Sequence, residues 1–403
     1  MSKIKLLDKS VYNRIAAGEV VERPLSIVKE LVENSIDAGA TAISVAIEDG
    51  GMKKISVSDN GSGILPEDVP TAFMAHATSK IATAADLDGI ATLGFRGEAL
   101  PSIAAVSCVK MNTRVPGSET GFTYCVDNGE VTDAGACGCP FGPSVTVTHL
   151  FDKIPARKKF LDKQSKEESA ITGTMEKLIL ANANVSFKYT VNGKVVYSSA
   201  GQGVENAIYG KEFFDGLIKT ENSEFGITLH GYVCKPSASK HTKGYQTLIV
   251  NGRYVISDEV SYWIYGCYMN YLMKRQYPAY VLYLDMPFDL VDVNVHPNKL
   301  EIKFADDGIV KKVIVDAVKK KVLSTLMSPA GFAEEVVFDA AKNAENSTQN
   351  IYIEEKTADF EPVERKFVTH DKFDSSVLGE IITKKVVADK FDPCEPQFRD
   401  TAA

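Results

Sequence analysis

Glu30 and Asn34 stand one helical turn apart in the stretch "KELVENSIDAG", Lys29 to Gly39. A carboxylate can polarise an attacking water, and an amide oxygen can ligate a hard cation. At about 100° per residue, Ile27, Val28, Leu31, Val32, Ser35 and Ile36 fall on one side of such a helix. Glu30, Glu33, Asn34 and Asp37 fall on the other, with Lys29 at its edge. The same pattern describes a solvated surface helix, so its meaning depends on what lies opposite. Two glycine loops are the candidates. In "SDNGSGI" a strand ends in Asp59, and Gly61 and Gly63 let the backbone bend closely around a ligand. In "LGFRGEAL" Gly94 and Gly97 flank Phe95 and Arg96 before a helix resumes, a setting in which successive N–H groups form an anion nest. Each loop alone reads equally well as a turn. The familiar nucleotide motifs are missing: there is no G-x-x-x-x-G-K-[ST], and "GQGVEN" from Gly201 is not G-x-G-x-x-G.

These residues need elements to position them. "SVYNRIAA" and "PLSIVKELVENSIDA" have helical spacing, with Pro24 suited to a first turn and Gly39 to a C-terminal stop. "AISVAIEDGG" and "KKISVSDNGSG" read as a hairpin. Further strands are expected near 107–113, 121–126 and 144–148. A helix over about 165–181 and a hairpin turning at Asn192-Gly193 follow. Beyond a Gly/Ser-punctuated boundary near "SAGQGVEN" a second α+β domain is expected. Its strands are "FGITLHGYVC", "YQTLIVNGRYVI", in which Asn251-Gly252 suits a tight hairpin turn, and "PAYVLYLDMP", and its helices "DEVSYWIYGCYMNYLM" and "DGIVKKVIVDAVKKKVLSTL". The divisions are 1–203, 204–328 and an acidic, disordered linker over 329–403 in which periodicity fades.

The chain has 403 residues, 44% hydrophobic and 24% charged, which suits a globular protein of more than one domain. Its net charge of −8 argues against a uniformly basic nucleic-acid binder. From Gly331 onward there are 16 acidic and 9 basic residues, a net −7, leaving −1 for the rest, where local basic patches still count. Seven scattered cysteines, with a lone Cys137-x-Cys139, read as reduced thiols of a cytoplasmic protein. No apolar run approaches the ~18 residues of a membrane span, and "MSKIKLLDKS" lacks a signal-peptide core.

The order Asn34 on its acidic helix, then "DNGSG", then "GFRGEAL" resembles the GHKL ATPase superfamily of gyrase B, histidine kinases and related chaperones. The strings "NRIAAGEVVERP", "KELVENSIDAGAT", "HATSKI", "LGFRGEAL", "PARKKFL", "VNGRYV" and "VDVNVHPNKLEIKF" further resemble the MutL family of DNA mismatch-repair ATPases, over about residues 4–327. The fold this implies is α+β. A GHKL (Bergerat) α/β sandwich comes first, then a domain like domain 2 of ribosomal protein S5.

The resemblance makes Glu30 the general base and gives the amide oxygen of Asn34 to Mg²⁺, which also holds phosphates of ATP. Glu33 is expected on a solvated edge, and Asp37 receives no role. Asp59 would accept from the adenine amino group, beside Gly61 and Gly63. Residues from about His76 to Leu100 would form a lid, with Thr78, Lys80, Gly94, Phe95, Arg96 and Gly97 at phosphate- or lid-contacting positions. Lys299, from the second domain, would reach the γ-phosphate. Three positions depart from the family pattern. Pro143 stands where Thr is usual, which implies either weaker adenine affinity or Ser144 substituting at the adenine end. Lys153-Ile154 replaces Asn-Thr, and Pro101 follows the lid. Arg157, Lys158, Lys159, Lys163 and Lys166, with Arg253, Lys274 and Arg275, are candidates for DNA phosphate contacts.

The implied activity is a slow ATPase whose N-terminal domains dimerise on ATP, grip DNA, and connect MutS to a downstream nuclease or helicase. Two other readings stand beside it. An ATP-gated matchmaker without turnover leaves Glu30 without a purpose, and a gyrase B-like subunit does not account for "NRIAAGEVVERP". No D-Q-H-A-x-x-E-x-E nicking motif occurs in these 403 residues, and the chain is read as the N-terminal portion of a longer protein.

Overall fold

The computed structural model describes residues 17–18, 20–80, 92–94, 97–206, 208–292 and 300–326, all within one compact unit. Helix α1, Pro24–Asp37, starts at a proline that has no N–H to lose there. Its apolar stripe of Ile27, Val28, Leu31 and Val32 is buried. It stops at Gly39, whose φ of 72° suits glycine and whose N–H donates to the Ile36 carbonyl. Strands β1, Ala42–Glu48, and β2, Lys54–Asp59, form the expected hairpin. The turn between them has positive φ at Asp49, Gly50 and Gly51. Ile43, Val45 and Ile47 of β1 and Ile55 and Val57 of β2 point into the core. The intervening residues form a polar outer face, where Ser56 and Thr146 hydroxyls meet at 3.2 Å.

Short helix α2, Val69–Ala72, and helix α3, Ala99–Val106, bracket the glycine-rich segment. Then come β3 (Cys108–Arg114), β4 (Gly121–Asp127), β5 (Glu130–Cys137) and β6 (Gly142–Thr148). Helices α4 (Pro155–Phe160) and α5 (Gln164–Ala181) precede β7 (Ser186–Val191) and β8 (Lys194–Ala200). The eight strands make one sheet in the order β5-β4-β3-β6-β2-β1-β7-β8. Every neighbour is antiparallel except the parallel pair β1 and β7. Asn192 and Gly193, at φ 48° and 79°, turn the β7–β8 hairpin as their types require.

A second sheet has its own core. After helix α6, Gly210–Asp215, strands β9 (Leu217–Glu224), β10 (Ile227–Cys234), β11 (Gln246–Val250), β12 (Arg253–Val255) and β13 (Tyr280–Asp285) take the order β12-β11-β13-β10-β9. Helix α7, Asp258–Tyr268, is capped by the Ser257 hydroxyl, which accepts from the Val260 N–H. Its expected continuation toward Met273 does not form. Tyr268 is fully buried and donates to the Cys234 carbonyl, whereas Met269 and Met273 beyond it are exposed and have no core to face. A two-residue ladder, β14 (Val291–Asp292) with β15 (Lys303–Phe304), precedes helix α8, Asp307–Leu326, whose Val313, Ile314, Val318 and Val322 are buried.

Helix α5 links the sheets. The buried Lys177 ammonium donates to the Gly244 carbonyl (2.6 Å) and the Thr247 hydroxyl (2.9 Å), and burial pushes its pKa down to about 8. The Tyr283 hydroxyl donates to the Leu180 carbonyl at 2.7 Å. Among the described residues no helix is long and apolar enough to cross a membrane. The "SVYNRIAA" helix lies largely outside the described residues, and the 329–403 linker wholly so.

Candidate nucleotide site

The polar side of α1 faces a cavity of about 950 Å³. Glu30, Asn34 and Asp37 line it from the helix, Asp59 and Gly63 from the end of β2, and Thr78, Lys80, Gly94 and Gly97 from the segments before and after the undescribed part of the lid region. The helix thus faces a ligand-sized space, and the two glycine loops meet it there.

Asp59 is held rigidly at one end. Its Oδ2 accepts from the Ser35 hydroxyl at 2.5 Å and its Oδ1 from the Gly61 N–H at 2.8 Å. Burial raises its pKa, and these two hydrogen bonds pull the other way. A Cβ on Gly61 would come within 2.9 Å of both the Ala38 carbonyl and Asp59 Oδ1. Gly142, at φ 87°, is required too, because a Cβ there would lie 2.1 Å from the Asp59 carbonyl. Neither Ser35 nor Gly142 is expected at the site from sequence. Both could have been sought from a Ser one turn after Leu31 and a Gly opening a strand, but those signals are weak.

The other end is organised by Asp37, to which sequence assigns no role. Its Oδ1 accepts from the Leu93 N–H and its Oδ2 from the Gly94 N–H, both at 2.9 Å. Lys80 donates to Asp37 Oδ2 at 2.5 Å and to Asn34 Oδ1 at 2.9 Å. The amide oxygen expected to bind a cation is therefore faced by a lysine ammonium. An amide oxygen next to a carboxylate is an oxygen donor set that suits a hard cation sharing phosphate ligands. The Lys80 N–H donates to the Thr78 hydroxyl at 3.2 Å, and the His76 N–H to the Gly97 carbonyl at 3.1 Å.

Glu30 has a side chain 15% exposed, with Lys29 Nζ at 3.8 Å. Glu33 corrects the expectation of a solvated edge: its side chain is 3% exposed and pairs with Lys29 Nζ at 2.7 Å. It also attracts the buried guanidinium of Arg253 from the second sheet. Ser144 is not brought to the cavity. Successive strand residues alternate faces, so Pro143 lines the cavity while Ser144, paired with Ser58 and Asn112, lines a smaller pocket of about 440 Å³ toward the outer face. Phe95, Arg96 and Lys299 lie outside the described residues.

The basic candidates separate. Arg253 is a correction: it is 5% exposed, too deeply buried for DNA phosphate, because β12 turns it toward α1. Arg157 is folded against Gly18 and over the Phe151 ring, 5.8 Å from its centroid. Lys158 is exposed and pairs with Asp152 at 2.6 Å. Lys159, Lys163, Lys274 and Arg275 are exposed and make no ion pair among the described residues. The described cysteines are free thiols.

Comparison with known proteins agrees with this geometry. The family described as "Histidine kinase-, DNA gyrase B-, and HSP90-like ATPase" matches residues 23–132, and "DNA mismatch repair protein, C-terminal domain" matches residues 205–323. The chain is 37% identical over 384 residues to the DNA mismatch repair protein MutL of Clostridium botulinum (strain Eklund 17B / Type B), covering 94% of this chain and 56% of that one. It is 40% identical over 328 residues to MutL of Clostridium acetobutylicum, covering 80% and 53%. The chain thus spans about half the length of these relatives. Among solved structures, the N-terminal domain of a DNA repair protein superposes with a TM-score of 0.68 at 25% identity, covering 78% of this chain and 99% of that one. The Aquifex aeolicus MutL ATPase domain complexed with ADP shares the fold, with a TM-score of 0.53 at 24% identity over 73% and 98% of the two chains. With the acidic helix and both glycine loops meeting at one cavity, and with relatives matching across both sheets, the chain belongs to the MutL family of DNA mismatch repair proteins and carries its gyrase B- and HSP90-like ATPase fold.

Proposed function

We propose that this chain is the ATP-driven portion of a mismatch-repair matchmaker. In this reading it binds ATP with Mg²⁺, hydrolyses it slowly, dimerises when ATP is bound and grips DNA. It thereby passes mismatch recognition by MutS to a downstream nuclease or helicase. Residues 1–203 form the ATPase domain, 204–328 the transducer and 329–403 the linker. The observation that carries the reading is the single cavity shared by Glu30, Asn34, Asp37 and Asp59 in a chain of this family. The ADP found in the Aquifex relative supports a nucleotide as the occupant. Glu30 lies along α1 from Asn34 and would hold the attacking water and take its proton. Asp59 would select an amino group over a carbonyl on the base. Asn34 would hold Mg²⁺, which supplies charge neutralisation on the phosphates. Lys80, released from Asn34, would turn to the same phosphates. The presence of a carboxylate at position 30 favours turnover over an ATP-gated switch that never hydrolyses.

Light scattering tests the switch. The chain should be monomeric alone and gain a dimeric species with a non-hydrolysable ATP analogue and Mg²⁺. One unchanged mass in both conditions would count against it.

DNA contact is proposed at the exposed cations rather than at Arg157 and Arg253. Contacts to phosphate carry no sequence information, so binding should be sequence-independent and strongly salt-dependent. Reversing charge at Lys159, Lys163, Lys274 and Arg275 together should weaken binding and flatten the log–log salt slope by up to about 0.9 per lost phosphate contact. Basal ATPase should survive. A salt slope identical to that of the unmodified protein would place the DNA path elsewhere.

A further inference from the structure

Arg253 has a place in the ATPase site that its sequence context does not suggest. It opens β12 immediately after the Asn251-Gly252 turn, where both residues have positive φ (48° and 77°). Asn251 pins that turn, donating from Nδ2 to the Met286 carbonyl and accepting at Oδ1 from the Met286 N–H, both at 2.9 Å. The base of the arginine is thus fixed in the second sheet, while its head is not there. Arg253 Nη2 donates to the Thr92 carbonyl at 3.0 Å. Thr92 is the residue before Leu93 and Gly94, whose N–H groups are held by Asp37. The segment 92–94 is therefore held by its carbonyl from the second sheet and by its amides from α1.

Charge explains why a guanidinium is tolerated there. Burying one costs several kcal/mol unless it is compensated. The carboxylates that attract Arg253 are Glu33, then Glu30, then Asp37. Among the described residues, Lys29 and Lys80 are the other cations paired with these carboxylates. Three carboxylates and three cations meet, and Arg253 is the only one of the six contributed by the second sheet. Its Nη1 is buried and has no hydrogen-bond partner among the described residues.

We propose that Arg253 is a positioning residue for ATP hydrolysis: it latches the 92–94 segment and completes the charge balance beside Glu30, so that turnover requires the second sheet to be docked. This rests on the ATPase reading above. Arg253 itself touches no reacting atom, since it acts through the loop root and the acidic cluster.

The test compares Arg253→Met, which keeps bulk but removes charge and donors, with Arg253→Lys, which keeps charge and one donor. Melting curves establish that each variant is folded. Arg253→Gln replaces Arg253→Met if the latter does not fold. In the methionine variant kcat should fall at least about tenfold, while affinity for a non-hydrolysable ATP analogue changes less than about threefold. Hydrogen exchange at the Leu93 and Gly94 amides should quicken about tenfold or more, even without turnover. Lysine should recover most of the lost kcat. The proposal is overturned if exchange at 92–94 is unchanged, or if kcat and affinity fall together in step with the folded fraction and lysine recovers neither. The exchange measurement needs no hydrolysis. A chain that never hydrolyses ATP would sink the ATPase reading while leaving the latch itself measurable.

Discussion

Glu30→Ala is expected to bind ATP about as well as the unmodified chain and to hydrolyse it about 10²–10⁴-fold more slowly. The binding half follows from geometry. Asp59 is held by Ser35 and Gly61, and the 92–94 loop and Lys80 by Asp37 and Asn34, so these walls of the cavity survive the removal of Glu30. The rate half follows from chemistry, since the other two carboxylates of α1 are committed elsewhere. Glu33, one turn's edge away, is committed to Lys29 at 2.7 Å, and Asp37 to two amides and an ammonium. Single-turnover hydrolysis set against calorimetric affinity separates the two halves. Hydrolysis at the unmodified rate would remove Glu30 from the role of base.

Asn34→Ala should abolish Mg-dependent nucleotide binding. Magnesium demands a near-ideal octahedron and takes few protein ligands, so the loss of one fixed oxygen is not made good by neighbours. Asp37, which shares Lys80 with Asn34, is occupied by the loop amides and by that lysine. The decisive comparison is calorimetry with and without Mg²⁺. The unmodified chain should gain affinity on adding the ion and Asn34→Ala should not, while both bind metal-free nucleotide alike. If the variant responds to Mg²⁺ as the parent does, the amide serves only to anchor Lys80.

Much of the fold was legible because alternation and turn chemistry are local. Ile43, Val45 and Ile47 alternate with polar residues, and Asn192-Gly193 and Asn251-Gly252 mark hairpins that formed. β5 was missed because it is an edge strand whose residues are mostly exposed, so no alternation marks it. The resemblance brought residues to the cavity that spacing alone left ambiguous. What neither conveyed were contacts made across long separations. Asp37 meets the amides of Leu93 and Gly94, and Arg253 meets Thr92, only after the sheets and loops have assembled. Beside a turn, in "VNGRYV", an arginine reads as a surface charge, and nothing local says that it will be buried near the carboxylates of α1. Ser144 shows the opposite limit: the face it takes was fixed by counting from Val145, a local fact that its chemistry obscured.

The parallel pairing of β1 with β7, from Ala42 opposite Ser186 to Ile47 opposite Val191, bears on how the chain is made. One edge of β1 is satisfied almost at once by β2, its neighbour in the hairpin. The other edge stays open while all of β3 to β6 and the helices α2 to α5 are synthesised, until residue 186 has left the ribosome. An unpaired strand edge of alternating apolar residues is a template for wrong partners, including another nascent chain. Closing so long a loop is slow compared with forming the hairpins on either side. The eight-stranded sheet therefore spends its synthesis unfinished at β1, and the ATPase fold is completed last, on the β7–β8 side of that sheet.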